Sequence, residues 1–584
     1  MALHLDLGGR AAAALAAVAP TLRPYRRSWL GKDVLAGLVL TALLVPQGMA
    51  YAELAGLPPV TGLYTSVLCL LGYALLGPSK VLVLGPDSSL GPMIAATILP
   101  LMGADGDPAR AVLLASALAI LVGLLMLGAA AGRLGFVAQL LSKPTVIGYM
   151  NGLALTILVG QIPKLLGFSV DADTFLGECV AVVQGIAGGE VVAASAAIGL
   201  LSLGLILVLA RTVPKLPAVL VAVVAAILLS LLLDLEGRGV SVVGALPQGL
   251  PSFTLPIVGL SDLGLLLAGA VGISLVALAD TISTATSFAE RRGETVDGNR
   301  EMLGIGAANI AAGLFQGFPV STSGSRTAVA EQSGARTQLA GVTGALAIAV
   351  MLVAFPALLA DLPNPTLAAL VIAASLSLVD VRGMLRLRRQ RPADFLVSVI
   401  AFLGVALLGV LPGILIAILI SIGDVFRRIW MPHRTVLGTT EGLAGLHDVE
   451  THPAAAVLPR CPVYRFDAPL IFANAATFRD DVRRLADADP RPHWIVVAAE
   501  SISDVDTTAG DMLDHLVDAL DRDGTRLVLA EMKGPVVAKL RSFGLEHLAD
   551  DDRFPPTLDG ALAAYGASHP AGAGPASSRG GDAP

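Results

Sequence analysis

Long apolar segments recur along most of this chain, and they constrain its fold more than any other feature. Runs close to the roughly 20 residues that a helix needs to cross a bilayer recur between Val34 and Ile422. Of the 584 residues, 55% are hydrophobic and only 15% are charged, whereas a soluble protein has about 25% charged residues. So many long apolar runs cannot all be buried in one soluble core. The chain is therefore predicted to be a polytopic α-helical membrane protein.

Several functional classes are disfavoured by what the sequence lacks. Cys69, Cys179 and Cys461 are too widely spaced for a disulfide framework or a zinc site. No block of Lys and Arg with interleaved aromatic residues is present, so nucleic acid is not an expected partner. No nucleotide-binding Gly-rich loop and no nucleophile–His pairing is visible, so we expect no enzymatic activity and no resident cofactor.

Changes in composition divide the chain into five parts. We expect a cytoplasmic N-terminal segment at residues 1–32, a transmembrane domain at 33–430, a linker at 431–461, a small α/β domain at 462–567 and a disordered tail at 568–584. The tail is rich in Gly, Ala, Ser and Pro, a composition typical of disorder. No cleavable signal peptide is expected, and the first span would direct insertion.

Hydropathy predicts about fourteen spans, several of which are too short to cross the bilayer alone. They are Val34–Leu54, Val60–Leu76, Ser88–Leu101, Val112–Ala131, Thr145–Gly160, Val192–Ala210, Ala218–Leu233, Leu263–Phe288, Met302–Phe315, Ser323–Glu331, Leu339–Leu359, Thr366–Leu378, Phe395–Leu408 and Ile414–Val425. Most basic residues between the spans fall on one side, together with both chain ends. The positive-inside rule therefore places both termini and the C-terminal domain in the cytoplasm.

Two short predicted spans are interrupted by Gly and Pro. They open with Leu84-Gly85-Pro86-Asp87-Ser88-Ser89 and with Gly317-Phe318-Pro319-Val320-Ser321-Thr322-Ser323-Gly324-Ser325-Arg326. Each is the third span of its half of the domain. Interrupted segments at matching places in two halves indicate the binding site of an inverted-repeat transporter, although the residues of the two halves show little similarity.

A helix that begins inside the membrane directs free N–H groups and the positive end of its dipole at the site. Two such helix starts would bind an anion. Ser88, Ser321, Ser323 and Ser325 could add hydroxyl donors, and Arg326 could add a positive charge. The alternative is that these residues only cap two kinked helices.

Three further polar residues lie within the predicted spans. Asp87 would repel an anion, so we expect it to cap its helix, with proton uptake as the alternative. Asp280 and Thr284 share one helix face and could ligate Na⁺. Alternatively Asp280 could carry a proton, or bond to a neighbouring helix. Gln47 follows Pro46 at a predicted kink and could hydrogen-bond the substrate or another helix.

At these residues the sequence resembles the SulP family of sulfate permeases and related anion transporters. The resemblance is carried by Val45–Ala52, Leu54–Pro59, Ser142–Pro144, Ile147–Gly152, Gly160–Lys164, Asn299–Glu301 and Pro319–Arg326. It implies fourteen spans as two inverted seven-span repeats, arranged as UraA-like core and gate domains with the anion between the third and tenth spans.

The resemblance also implies roles for individual residues. Gln47, Gly85–Ser89, Ser323, Ser325 and Arg326 would face the anion. Asp280 and Thr284 match the sodium-coordinating pair of cyanobacterial bicarbonate members, whereas many sulfate members have Glu at position 280. Asp87 departs from the apolar residue usual there, which leaves the substrate charge open.

The C-terminal domain resembles a STAS domain, a match carried by Phe472–Ala475 and Asp504–Ala509. Its alternating strand and helix patterns predict a small α/β fold. The resemblance places Thr508 near the phosphorylated Ser of the anti-sigma-factor antagonists. We expect Thr507 and Thr508 only to cap the helix, with phosphorylation of Thr508 as the alternative. Dimer contacts and a cytoplasmic protein partner are further hypotheses for this domain.

The leading hypothesis is a secondary active transporter in the inner (plasma) membrane that works by alternating access as a homodimer among membrane lipids. Its substrate would be a small anion, with sulfate ahead of bicarbonate or a dicarboxylate, coupled to H⁺ or Na⁺. The alternatives are a nucleobase–proton symporter of the same fold and a membrane anion sensor that signals through the STAS domain.

Overall fold

The computed structural model describes residues 19–22, 25–103, 106–135, 142–170, 172, 174–213, 217–546 and 553–569. The expected disordered tail therefore lies almost wholly outside the described residues, as does over half of the expected N-terminal segment. The chain separates into two compact units, Met1–Ile422 and Gly423–Pro584.

The predicted helical character of the membrane domain is confirmed. Among the described residues, seven helices are long and apolar enough to cross a membrane, and shorter apolar helices lie between them. In chain order the helices are α1 Leu30–Leu54, α2 Pro59–Leu76, α3 Gly91–Ile98, α4 Pro108–Ala131, α5 Lys143–Leu166, α6 Phe175–Gly188, α7 Ala193–Thr212, α8 Ala218–Leu233, α9 Leu260–Glu290, α10 Gly298–Leu314, α11 Gly324–Gln332, α12 Leu339–Ala354, α13 Asn364–Leu378, α14 Val381–Gln390, α15 Pro392–Leu408 and α16 Val410–Trp430.

The predicted set of spans missed two helices, α6 and α14. Helix α6 follows the fifth predicted span, and α14 follows the twelfth, which is the fifth span of the second half. Glu178 and Gln184 interrupt the apolar pattern of α6, and five of the ten residues in α14 are Arg or Gln. Because the two helices occupy matching places in the two halves, they add to the layout evidence for an internal repeat.

A third difference concerns α12, which ends at Ala354 rather than running to Leu359. Phe355 leaves the helical conformation with φ −138°, and Pro356–Leu359 form a separate 3₁₀ turn. Proline disfavours the α conformation in the residue before it, which accounts for the break.

Glycines allow the membrane helices to approach closely. A Cβ atom on Gly62 of α2 would lie 1.9 Å from the carbonyl oxygen of Gly48 in α1. A Cβ on Gly148 of α5 would lie 2.0 Å from the carbonyl oxygen of Ser398 in α15. Small residues at such crossings permit the backbone contact that drives helix association in membranes.

The helix contacts form two groups. Helix α10 packs on α2 and α4, and α12 packs on α1 and α2. Helix α5 packs on α13 and α15, and α13 also packs on α7. The two interrupted segments, which precede α3 and α11, lie with the first group.

The C-terminal unit contains a five-stranded sheet. Its strands are β3 Arg434–Thr440, β4 Leu443–Asp448, β5 Val463–Phe466, β6 Trp494–Ala498 and β7 Arg526–Ala530, numbered after two short membrane strands described below. They lie in the order β4-β3-β5-β6-β7 across the sheet. Strands β5, β6 and β7 are parallel, as the predicted alternation of strands and helices requires. The helices of this unit are α17 Ala475–Ala486, α18 Thr507–Arg522, α19 Gly534–Ser542 and α20 Leu558–Ser568.

The segment expected to be a linker, 431–461, contributes two of these strands. Strand β3 pairs antiparallel with both β4 and β5. The expectation of a linker is therefore corrected, because residues 434–448 belong to the sheet. Gly and charged residues flank these two strands, so their sequence resembles that of a connecting segment. Only the pairing of β3 with β5 shows that they belong to the sheet.

Candidate functional site

The two interrupted segments pair with each other. Strand β1, Leu84–Gly85, runs antiparallel to β2, Ser321–Thr322, with Gly85 opposite Ser321. The backbone N–H of Ser323 donates to the Val83 carbonyl at 3.2 Å. This pairing satisfies backbone groups of four residues that are all buried. The broken segments, which are far apart in the chain, thus form one element.

A short helix follows each strand: α11 begins two residues after β2, and α3 begins after the turn at residues 86–90. Ser323 is the N-cap of α11, and its Oγ accepts from the Arg326 N–H at 3.5 Å. The turn before α3 is closed by bonds from the N–H groups of Leu90 and Gly91 to the Asp87 carbonyl. Of the alternative that the site residues only cap helices, the capping part therefore holds for Ser323. Capping and anion binding are compatible, because the remaining N–H groups of each first turn stay available.

Arg326 is the largest fully buried side chain of the described residues, with an exposure of 1%. Its Nη1 donates to the Pro86 carbonyl at 2.5 Å, which ties α11 to the first broken segment. Its Nε and Nη2 are buried and have no hydrogen-bond partner among the described residues. The nearby Ser321 hydroxyl is likewise buried without a partner in the described part of the chain. A buried guanidinium with unmet donors is costly unless an acceptor binds there.

Gly85 makes room for this guanidinium. A Cβ at Gly85 would lie 3.4 Å from both Cζ and Nη2 of Arg326 and 3.2 Å from Cδ2 of Leu44. The glycine therefore lets the arginine lie against the backbone of β1. This role of Gly85 is steric, and the sequence pattern did not predict it.

Asp87 has two roles in this structure. Its Oδ1 accepts from the N–H and the Oγ of Ser89 at 3.0 and 2.7 Å, which stabilises the turn before α3. Its Oδ2 lies 3.8 Å from Nη2 of Arg326. The expectation that Asp87 caps α3 is corrected, because the N-cap is Leu90 and no side chain caps this helix. The charge of Asp87 is also offset by an arginine, a partner that the sequence did not predict.

Asp280 in α9 contacts the first broken segment. The Oγ of Ser89 lies 3.3 Å from Asp280 Oδ2, so Ser89 links this carboxyl to Asp87. Thr284 is half-buried one turn further along α9. Among the described residues no group of three or more His, Cys, Asp or Glu side chains is placed to hold a metal ion.

The remaining predicted site residues differ in accessibility. Ser88 is buried, whereas Gln47 is half-buried and follows Pro46 within α1. Gly324 and Ser325 are exposed, and the Ser325 hydroxyl lies 3.0 Å from that of Ser323. The two serines of α11 therefore form one hydroxyl pair at its start.

Three residues at the site were not predicted from the sequence. The Tyr149 hydroxyl of α5 donates to the Ser89 carbonyl at 3.4 Å. Thr281 of α9 bonds the Thr322 hydroxyl at 3.3 Å. Asn309 of α10 pairs with both backbone groups of Val320 at 3.0 and 3.4 Å. Only the polar character of Asn309 and Thr281 within apolar runs could have suggested them.

The start of α18 in the C-terminal unit is capped by a residue other than the expected threonines. Asp506 is the N-cap, and its side chain accepts from the Ala509 N–H at 2.8 Å. Thr507 and Thr508 are the first helical residues, and both are exposed. The expectation that they cap the helix is corrected. Thr508 is exposed beside a helix N-terminus, which is compatible with phosphorylation. Phosphorylation of Thr508 stays a prediction.

Two family models match the chain. The sulfate permease family model matches residues 30–401, and the STAS domain model matches residues 452–561. Together they cover the membrane helices around the paired broken segments and most of the C-terminal sheet.

Curated relatives match nearly the full length. A probable sulfate transporter of Mycobacterium tuberculosis is 41% identical over 93% of this chain and 96% of its own length. Solute carrier family 26 member 6 of Homo sapiens is 33% identical over 79% of this chain and 64% of its own length. Sulfate transporter 1.3 of Arabidopsis thaliana is 28% identical over 90% and 83%.

Solved structures share the fold. The murine solute carrier 26 family member A9 anion transporter, in its inward-facing state, matches with a TM-score of 0.87 at 22% identity, over 95% of each chain. The transmembrane domain of a cyanobacterial bicarbonate transporter matches with a TM-score of 0.58 at 22% identity, over 68% of this chain and 99% of that one.

Proposed function

Because this chain belongs to the sulfate permease family, we propose that it is a secondary active transporter of a small anion, with sulfate as the first candidate. Relatives named as sulfate transporters support this choice of substrate. The paired broken segments supply the chemistry that would bind this anion.

The observation that carries the proposal is the buried Arg326, whose Nε and Nη2 have no hydrogen-bond partner among the described residues. A tetrahedral oxyanion presents several acceptor oxygens to a guanidinium, which suits two free N–H donors in one plane. The Ser321 hydroxyl and the N–H groups at the start of α11 would supply further donors. Asp87 limits the net positive charge of the site, so that the anion is bound without being held too tightly to leave.

Proton coupling through Asp280 is the second part of the proposal. Ser89 carries one hydroxyl proton, but its Oγ lies near a carboxylate oxygen on each side. We assign this proton to the hydrogen bond with Asp87, which has the shorter distance of 2.7 Å. The contact of 3.3 Å with Asp280 is then attractive only when Asp280 is protonated and donates to the Ser89 Oγ. Asp280 would then carry the proton that accompanies the anion.

Sodium is the alternative coupling ion. Asp280 and Thr284 would supply oxygen ligands to it, as the resemblance to bicarbonate members implies. The contact between Ser89 and Asp280 favours the proton, because protonation of Asp280 provides the hydrogen that this contact needs.

Alternating access is the proposed mechanism, and the location of the site among the helices supports it. Tyr149 belongs to α5, which packs with α13 and α15, and it bonds the Ser89 carbonyl of the other helix group. Movement of one group against the other would break this contact and open the site to one side of the membrane. The site is thus expected at the boundary between core and gate.

Uptake into proteoliposomes tests this function. The purified chain is expected to accumulate labelled sulfate under an inward proton gradient, with bicarbonate and dicarboxylates as competitors and an inward Na⁺ gradient as the parallel condition. No uptake of any anion under either gradient would refute transport. Saturable sulfate binding without flux would instead favour the membrane sensor.

The location and assembly of the protein are part of the same proposal. We expect both termini and the STAS domain in the cytoplasm, from the distribution of basic residues. Labelling of single cysteines introduced near Trp29 and Trp430 in sealed inside-out vesicles would check this topology. The homodimer stays a prediction, to be measured by cross-linking in the membrane.

A further inference from the structure

Helix α14 carries an exposed cluster of arginines that the transport site does not use. The cluster consists of Arg382, Arg386, Arg388 and Arg389, and all four side chains are exposed. Among the described residues none of them forms an ion pair, whereas the next arginine, Arg391, lies 3.4 Å from Asp394. Four unpaired positive charges on one short helix create a strong local field that attracts anions.

The helix has three distinct faces. Gly383 and Leu387 are buried against the rest of the membrane unit. Arg382, Arg386 and Arg389 fall on a second strip at helical spacing. Val381 and Leu385, which are 53% and 52% exposed, form a third strip between those arginines and Arg388. An exposed apolar strip bordered by arginines on both sides is typical of a helix that lies in the membrane interface.

The start of α14 is held in place. Asp380 caps the helix, with its Oδ1 accepting from the Gly383 N–H at 2.7 Å. The Asp380 N–H in turn donates to Asn151 Oδ1 of α5 at 3.0 Å. The helix is therefore fixed to α5, which also supplies Tyr149 to the transport site. A ligand bound along α14 would act on the same helix that contacts Ser89.

We propose that α14 binds the headgroups of anionic phospholipids in the cytoplasmic leaflet, with its arginine strip on the phosphates and with Val381 and Leu385 against the acyl chains. The positive charge of the cluster complements the lipid, and the exposed apolar pair gives it contact with hydrocarbon that a soluble acidic partner would not offer. The positive-inside rule places α14 on the cytoplasmic side of the membrane, next to the leaflet named in the proposal. The proposal does not depend on which anion is transported.

Titration of the full chain with phosphatidylglycerol and with phosphatidylcholine, read by native mass spectrometry, tests the proposal. Each arginine near an anionic surface strengthens binding about fivefold. The double variant Arg386→Gln/Arg389→Gln should therefore bind phosphatidylglycerol about thirtyfold more weakly. Binding of phosphatidylcholine should not change.

Two control variants test whether lipid binding requires positive charge and whether it requires arginines on α14. Arg386→Lys/Arg389→Lys keeps the charge and should retain most of the affinity. Arg27→Gln/Arg211→Gln removes two other exposed arginines from the same side of the membrane and should lose less phosphatidylglycerol affinity than the α14 pair. Equal losses in this pair and in the α14 pair would overturn the proposal, because the effect would then be one of total charge.

Two other results would also overturn it. One is unchanged phosphatidylglycerol affinity in Arg386→Gln/Arg389→Gln, with a melting temperature that shows the variant is folded. The other is unchanged lipid affinity together with altered hydrogen exchange in residues 434–569. That result would show that α14 binds the acidic C-terminal unit instead of lipid.

Discussion

The guanidinium of Arg326 donates to the carbonyl oxygen of Pro86 at 2.5 Å and so joins two broken helices that are 240 positions apart. This bond uses one of the terminal nitrogens and leaves Nε and Nη2 without a hydrogen-bond partner among the described residues. The arginine therefore holds the paired segments together, and under the proposed function its remaining donors would bind the anion.

Replacement of Arg326 by Gln should weaken sulfate binding by about 10- to 150-fold, because hydrogen bonds to charged groups contribute about 1.5–3 kcal/mol. Equilibrium binding of labelled sulfate to the purified protein measures the change. Arg336→Gln is the matched control, since the Arg336 side chain is exposed and its backbone N–H, which the substitution keeps, bonds Asp33. Similar affinities in the two variants would argue against the role of Arg326.

Replacement of Asp280 by Asn should leave anion binding measurable but remove the response of uptake to a proton gradient. Asn keeps a hydrogen bond to Ser89 but does not take up a proton. Uptake with and without an inward proton gradient is the measurement. Asp262→Asn, near the start of the same helix, should retain the response, because Asp262 pairs with Arg110 at 3.3 Å away from the site. Retained coupling in Asp280→Asn would refute the assignment.

Replacement of Gly62 by Ala should destabilise the membrane unit by about 2 kcal/mol or more, because overpacking a close contact is costly. The added methyl group would lie 1.9 Å from the Gly48 carbonyl, and only separation of α1 and α2 would relieve the clash. Thermal unfolding in detergent monitors this effect. Gly128→Ala adds the same methyl group where no heavy atom lies within 4 Å, and its melting temperature should not fall.

The stability of the C-terminal unit should decrease as the pH falls below about 4. Burial raises the pKa of the Asp467 carboxyl, but hydrogen bonds from Arg465 and Ser501 outweigh burial, so the net pKa lies below its ordinary value. A hydrogen bond from Lys539 also lowers the pKa of Asp504. Carboxyls with a depressed pKa in the folded state stabilise it above their unfolded pKa, and this contribution is lost on acidification.

Urea unfolding of the full chain at pH 7 and at about pH 3.5 measures this dependence. Trp494 fluorescence in a Trp29→Phe/Trp430→Phe background would report the C-terminal unit alone. Asp467→Asn should reduce the difference between the two pH values, whereas Asp480→Asn, which removes an exposed carboxylate, should keep it. An unchanged difference in Asp467→Asn would show that this carboxyl does not contribute.

Much of the fold could be predicted from local patterns. The apolar runs placed most of the membrane helices, because each helix needs a continuous apolar length to cross the bilayer. The alternating strand and helix patterns likewise predicted the α/β fold of the C-terminal domain. The short α6, the arginine-rich α14 and the strands β3 and β4 were missed, because their stability depends on packing or pairing partners elsewhere in the chain.

The candidate site could be predicted only as a set of positions. Gly and Pro breaks next to Asp, Ser and Arg marked both broken segments, and the sequence by itself determined that they were unusual. Only the tertiary structure decided that Gly85 lies opposite Ser321, that Arg326 lies against Pro86 and Asp87, and that Ser89 links Asp87 to Asp280. These relationships join segments about 190–240 positions apart, and local sequence patterns do not specify which distant polar groups pair once water is excluded.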